Sequence, residues 1–345
     1  VSDEKPGKLS LQKPPAKRPG PEDKPATRAP LGTARKPREN REAPVSMAPR
    51  AASRSSNQAS RLSAQLNVMV AAARKAGRRL LRDFGEVEQL QVSVKGPGDF
   101  VSQADMRAED TLREELARAR PHFAFLGEET GEQGQEDWEY RWVIDPLDGT
   151  TNFLHGIPHW AISIGVEHRI SETESEIVAG VIYNPASDEL FWAEKGGGAF
   201  LNDKRLRVSS RRDMREAVFA TGIPFAATPR KPEFLAIASR LMPQVAGIRR
   251  FGAAALDLAW VAAGRYDGFW ELGLKKWDIA AGLILVREAG GFVTDPEGGE
   301  PYTEGHVVAG NPNLQGKLRT VVAEGIAAAQ SGRDKAVRAG RSDAE

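Results

Sequence analysis

The chain has 345 residues, 48 Lys or Arg against 47 Asp or Glu, and no cysteine, which excludes disulfide scaffolds, thiolate nucleophiles and cysteine-ligated zinc. It is long enough for one large core or two medium ones; the absence of a run of about 18 apolar residues, of an N-terminal signal core and of cysteine agrees with a reducing cytoplasm. The near-neutral total hides an asymmetry: residues 1–60 hold 13 Lys or Arg, 6 Asp or Glu and 10 of the 22 prolines, so the remainder is net negative.

That first segment has almost no large apolar side chains and cannot offset its ordering entropy by burial, so residues 1–60 are expected to form a disordered, basic, Pro-rich extension. Basic pieces such as KPREN could touch RNA or another acidic surface, although no aromatic residues are interleaved to stack on bases. Order is expected from Leu62. Leu62, Leu66, Met69, Val70, Ala73, Ala76, Leu80, Leu81 and Phe84 recur at helical spacing, and a second helix is predicted over 103–119 with Leu112 and Leu116 inward. Between them, Gly96-Pro97-Gly98 demands a turn, and Phe100-Val101 reads as a short extended piece.

Strands are predicted in PHFAFLGEE, YRWVID, AISIGVEHR (161–169) and IVAGVIYNP (177–185), followed by a hairpin bent at Gly196 to Gly198. AVFATG and YDGFWEL read as further strands, separated by helices in KPEFLAIASRLMPQV and AAALDLAWVAAG. A helix after KKWD, short strands in GFVTD and HVVAGN, and a last helix in LQGKLRTVVAEGIAAA complete the pattern. From about Ser331 the chain is again polar and basic. The succession predicts an α/β fold of helix layers around two sheets. The expected units are an N-terminal α+β domain (61–200), a C-terminal α/β domain (201–328) and a disordered tail (329–345).

Acids end apolar strands or begin helices at Glu128-Glu129, Asp145 and Asp148, Asp278, and Asp105. One such acid is ordinarily a cap or a solvated strand end; four such places in one chain suggest a site. In DPLDGTT, Pro146 sets a backbone angle and Gly149 permits a tight bend, so Asp145 and Asp148 can converge. Converging carboxylates repel unless a proton or cation lies between them. Oxygen ligands suit a hard cation, with magnesium the first choice. A helix starting after Gly149 would turn its free N–H groups toward the same point, ready for a phosphate, and metal beside amides defines a phosphoryl-transfer site.

The segments GEE (127–129), WVIDPLDGTTNF (142–153) and WDIAAGLILVREAGG (277–291) resemble the inositol monophosphatase family of Mg²⁺-dependent, Li⁺-sensitive phosphomonoesterases, over about residues 62–325. The resemblance implies a layered α-β-α-β-α sandwich of the inositol monophosphatase and fructose-1,6-bisphosphatase type, a homodimer, and two or three Mg²⁺ ions held by Glu128, Asp145, the Leu147 carbonyl, Asp148 and Asp278. It further implies that Glu128, Thr150 and Asp105 act on the nucleophilic water. Gly149 and Thr150 amides would hold phosphate, and Gly252, Ala253, Ala254 and Glu271, with Asp148 and Asp278, would face the substrate. Ser102 replaces a threonine common in the family, a hydroxyl for a hydroxyl.

The expected reaction is hydrolysis of myo-inositol 1-phosphate. Alternatives are fructose 1,6-bisphosphate, histidinol phosphate or adenosine 3',5'-bisphosphate, for which Arg249 and Arg250 could serve a second phosphate, or an RNA- and transcription-associated role involving the basic extension.

Overall fold

The computed structural model describes residues 62–86, 92–96, 99–224 and 229–342, with backbone alone for 92–96, 99–102 and 333–342. The extension expected over residues 1–60 lies outside the described residues. In chain order the elements are α1 (Ala64–Phe84), β1 (Val92–Gly96), β2 (Asp99–Ser102), α2 (Gln103–Ala119), β3 (Ala124–Gly127), β4 (Gly131–Gln133), β5 (Tyr140–Asp148) and α3 (Thr150–Leu154). There follow β6 (Ala161–Arg169), β7 (Ser175–Asn184), β8 (Glu189–Glu194), β9 (Gly198–Leu201), β10 (Lys204–Arg205), β11 (Val218–Thr221), α4 (Lys231–Leu241) and β12 (Gly247–Arg249). The chain continues through α5 (Ala254–Ala262), β13 (Gly268–Leu272), α6 (Lys276–Glu288), β14 (Phe292–Thr294), β15 (His306–Gly310) and α7 (Gln315–Ser342).

Besides the β1–β2 hairpin, an eight-stranded sheet runs β10-β9-β8-β7-β6-β5-β3-β4 and a five-stranded sheet runs β12-β11-β13-β15-β14. Strand alternation divides the core. On β5, Trp142 and Ile144 face α1 and α2, where Leu66, Met69, Leu112 and Leu116 are buried; Val143 faces the other way, into a cluster with Leu258 of α5 and Leu283 of α6. The second sheet repeats the pattern: Phe269 and Ala309 point toward α5 and α6, while Trp270 and Val308 pack with Ile237 of α4 and Leu318 of α7. The layers are therefore α1/α2, sheet, α5/α6, sheet, α4/α7, the mixed α/β sandwich expected from the sequence.

The middle layer is almost continuously apolar, because it is covered on both sides. It also sits close to the large sheet. Gly165 and Gly180 are paired across β6 and β7, and a Cβ at Gly180 would lie 2.8 Å from Ala281 Cα of α6.

The C-terminal tail differs from expectation. The last helix continues through Ser331 to Ser342, so the segment from 329 expected to be disordered is helical as far as Ser342. Ala, Arg, Lys and Gln are good helix formers, and extending a helix already nucleated by packing avoids the cost of starting one. No helix among the described residues is long and apolar enough to cross a membrane.

Candidate active site

The site begins where β3 ends beside the parallel strand β5. Gly127 of β3 is paired with Ile144 of β5, and the Glu128 N–H donates to the Ile144 carbonyl at 3.1 Å. The next residues, Glu128 just past the end of β3 and Asp145 within β5, therefore lie side by side. Such strand carboxyl ends are where α/β sheets gather ligands.

Beyond Asp145 the pairing of β5 with β6 is irregular: Asp145 stands opposite Ser163, and Asp148 opposite Ala161. Three steps on one strand match two on the other, a bulge that bends β5 and breaks the ordinary alternation of its side chains. The Leu147 N–H donates to Asp145 Oδ1 at 2.9 Å, and the Thr150 hydroxyl donates to the Leu147 carbonyl at 3.0 Å. Asp145 and Asp148 are both buried. Gly149 follows with φ +90°, and a Cβ there would lie 3.0 Å from the His159 carbonyl and 3.3 Å from Ala253 Cβ. Its left-handed conformation and close surroundings both favour glycine.

A helix does start at Thr150, as expected, but α3 has five residues. So short a helix has little macrodipole, and its first N–H groups act as individual hydrogen-bond donors. Asn152 ties this turn to the second half of the chain, donating to the carbonyls of His159 and Phe251 at 2.7 Å each.

The other acids come from separate elements. Asp105 is buried in the first turn of α2. Asp278 lies in the first turn of α6, where it accepts the Lys275 N–H at 2.7 Å; the capping role available to this aspartate is thus present. Their charges reach one another. Desolvation first, then the charges of Glu128, Asp148, Asp278 and Asp105, push the Asp145 carboxyl well above the usual carboxylate range. Asp148 is raised to about 7 by desolvation and by Asp278, against hydrogen bonds from the α5 amides. Asp278 is raised to about 6, chiefly by desolvation, and Glu271 to about 8 by desolvation, Asp278 and Asp148.

All five acids expected to act on metal or water thus share one electrostatic neighbourhood. Among the described residues, no group of three or more His, Cys, Asp or Glu side chains is arranged so that it could hold a metal ion. The donor set, carboxylate and carbonyl oxygen only, fits a hard divalent cation, whose charge would offset the desolvation of these carboxylates and the repulsion felt by Asp145 and Asp148.

The loop expected to meet substrate hydroxyls also borders the site, Ala253 lying against Gly149. One of its amides has another task. Ala254 and Ala255 N–H donate to the two carboxylate oxygens of Asp148 at 3.2 and 2.7 Å, so Asp148 caps α5 across the interval between the two sheets. Glu271 lies against Gly222 and accepts its backbone N–H. Asp257, which sequence reasoning did not single out, is 1% exposed on α5, and its carboxyl is pushed well above the usual range by desolvation and by Glu271 and Asp148. Its place on an apolar helix was the available signal.

Comparison with known proteins agrees with this arrangement. Residues 61–331 match the sequence model described as "Inositol monophosphatase family". An "Inositol-1-monophosphatase" from Rhizobium meliloti is 57% identical over 261 residues, covering 75% of this chain and 96% of that protein. A protein from Escherichia coli K12 named "Nus factor SuhB" is 46% identical over 250 residues, covering 72% and 92%. The crystal structure of "extragenic suppressor protein suhB" from Bartonella henselae superposes with a TM-score of 0.71 at 56% identity, covering 75% of this chain and 98% of that one.

Proposed function

The chain belongs to the inositol monophosphatase family, and from that premise we propose that it hydrolyses myo-inositol 1-phosphate to myo-inositol and phosphate with Mg²⁺. The reading is supported by the pairing that sets Glu128 beside Asp145, by the β5 bulge and the Gly149 turn that follow, and by the charges of Glu128, Asp148, Asp278 and Asp105, which add to desolvation in raising the Asp145 carboxyl. Buried carboxylates that repel one another are stabilised by a cation between them.

Glu128, Asp145, Asp148, Asp278 and the Leu147 carbonyl would hold two or three Mg²⁺ ions. Bound Mg²⁺ supplies charge that polarises the phosphoryl oxygens and acidifies the attacking water. Thr150 has its hydroxyl hydrogen committed to Leu147, so its oxygen offers a lone pair to orient that water. Asp105 and Glu128 complete its hydrogen-bonding environment and draw off its proton. Amides of Gly149 and Thr150 donate to phosphate oxygens where charge accumulates. The backbone at Gly252, Ala253 and Ala254 and the carboxyls of Glu271, Asp148 and Asp278 would face the substrate. In the same reading the enzyme is a cytoplasmic, Li⁺-sensitive homodimer.

Purified protein is expected to release phosphate from myo-inositol 1-phosphate only with Mg²⁺, and Li⁺ is expected to inhibit it. Asp145→Asn is expected to abolish release. Parallel assays with fructose 1,6-bisphosphate, histidinol phosphate and adenosine 3',5'-bisphosphate test the ester; faster turnover of any of these would replace the substrate, and an active Asp145→Asn variant would remove the metal mechanism. A second reading, contact with RNA or the transcription machinery, is favoured by the name of the E. coli relative and the basic residues 1–60. Filter binding of RNA to full-length and 61–345 protein across a salt series tests it; binding independent of both tail and salt would refute a tail-driven contact.

A further inference from the structure

Glu109 lies one helical turn after Asp105 on α2 and is 1% exposed. Residues four apart share a helix face, so the helix that presents Asp105 also carries this second buried acid. Its Oε2 accepts the Glu129 N–H at 2.9 Å, and its Oε1 accepts the Thr130 N–H at 3.0 Å and the Thr130 hydroxyl at 2.5 Å. All three donors belong to the loop Glu128-Glu129-Thr130, which joins β3 to β4 between the paired residues Gly127 and Gly131.

Space is reserved for this contact. A Cβ at Gly127 would lie 2.5 Å from Glu109 Oε1, so a side chain at 127 and a carboxylate at 109 cannot coexist without displacement. Glu128 is consequently held from both directions: its own N–H is bonded to Ile144, next to Asp145, and the two residues after it are bonded to Glu109. A three-residue loop has few backbone torsions, and fixing both its ends decides where the side chain of its first residue points.

We propose that Glu109 is a positioning residue for the metal site: it aims the Glu128 carboxylate at the Asp145 cluster and sets its place relative to Asp105 through their common helix. The inference rests on the reading of Glu128 as a Mg²⁺ ligand. Loss of the Glu109 acceptor leaves the 129 and 130 amides to turn toward water, and the loop and Glu128 turn with them. Groups that orient a ligand in this way alter metal affinity by about 10- to 100-fold.

The test is Mg²⁺ binding measured by calorimetry, with Mn²⁺ binding by electron paramagnetic resonance as a second readout, on the full chain carrying Glu109→Gln, Glu109→Ala, Thr130→Val or Glu128→Gln. Near-ultraviolet circular dichroism and thermal melting without metal report folding independently. Affinity is expected to fall about tenfold or more in Glu109→Ala, and less in Glu109→Gln and Thr130→Val, which each keep part of the hydrogen bonding. A role confined to holding the hairpin would lower the melting temperature and leave the metal dissociation constants of the folded variants unchanged. If Glu128→Gln weakens binding while folded Glu109→Gln and Thr130→Val bind like wild type, the positioning role is overturned. If Glu128→Gln itself binds like wild type, the assignment of Glu128 as ligand fails, and with it the premise. Should Glu109→Ala not fold, the metal affinities of Glu109→Gln and Thr130→Val decide between these outcomes.

Discussion

Asp148→Asn opposes two effects whose sizes can be compared. In metal-free protein the Asp148 carboxyl is raised from 3.8 to about 7 by desolvation and by Asp278. The native state therefore binds more protons at this site than the unfolded state between these values, and the contribution of Asp148 to stability is greatest below pH 3.8 and falls as pH rises toward 7. At 1.36 kcal/mol per pK unit, the loss attributable to this group is roughly 4 kcal/mol by pH 8. Asparagine cannot ionise and removes that loss. It has one acceptor oxygen for the two amides of Ala254 and Ala255, and leaving one buried amide unpartnered costs about 1–3 kcal/mol. The balance reverses with pH: without metal, Asp148→Asn is expected to be the less stable protein near pH 4 and the more stable, by roughly 1–3 kcal/mol, at pH 8. Urea unfolding in chelator across that range measures the difference, and the same titration with saturating Mg²⁺ should stabilise wild type much more than the variant. Equal pH slopes for the two metal-free proteins would refute the argument that Asp148 is a desolvated, repelled carboxylate.

Burial lowers His159 to about 4 from 6.5, so stability present above pH 6.5 is lost as pH falls toward 4, by up to about 3 kcal/mol; His159→Phe is expected to flatten this part of the acid-denaturation curve. Gly149→Ala places a Cβ on a φ of +90° and 3.0 Å from the His159 carbonyl, with an expected cost of about 2–4 kcal/mol in thermal unfolding and a loss of phosphate release. Gly180→Ala, whose Cβ would meet Ala281 Cα at 2.8 Å, is expected to cost about 1–3 kcal/mol. Because α6 carries Asp278 at its beginning, that variant's Mg²⁺ requirement in the phosphatase assay is expected to rise as well.

Much of the architecture is legible in local patterns. Helical spacing predicts the 103–119 helix with the boundaries α2 has, and AISIGVEHR coincides with β6. These segments are readable because a half-buried helix or a covered strand repeats its environment every few residues. The carboxylates are legible too, since DPLDGTT concentrates turn formers and acids where an ordinary strand end would have one. The extent of α7 is less legible, because a helix extending from a packed segment does not need an apolar stripe along its whole length. Glu109 is harder still: in sequence it is one more acid in a charged helix, and its significance comes from Gly127 and Thr130, about twenty residues away, meeting it in space.

The order of strands and helices, the oxygen-only chemistry of the acids and the need for a sharp bend at Gly149 were determined by the residues themselves, through periodicity, side-chain chemistry and backbone sterics. Which acids share a field, which amides cap Asp148 and what holds the Glu128 loop were decided only when α2, β3, β5, α5 and α6 packed together. Electrostatic repulsion, desolvation and hydrogen bonding depend on distances of a few ångströms between residues that the chain separates by as many as 173 positions, from Asp105 to Asp278, and no local pattern encodes such distances.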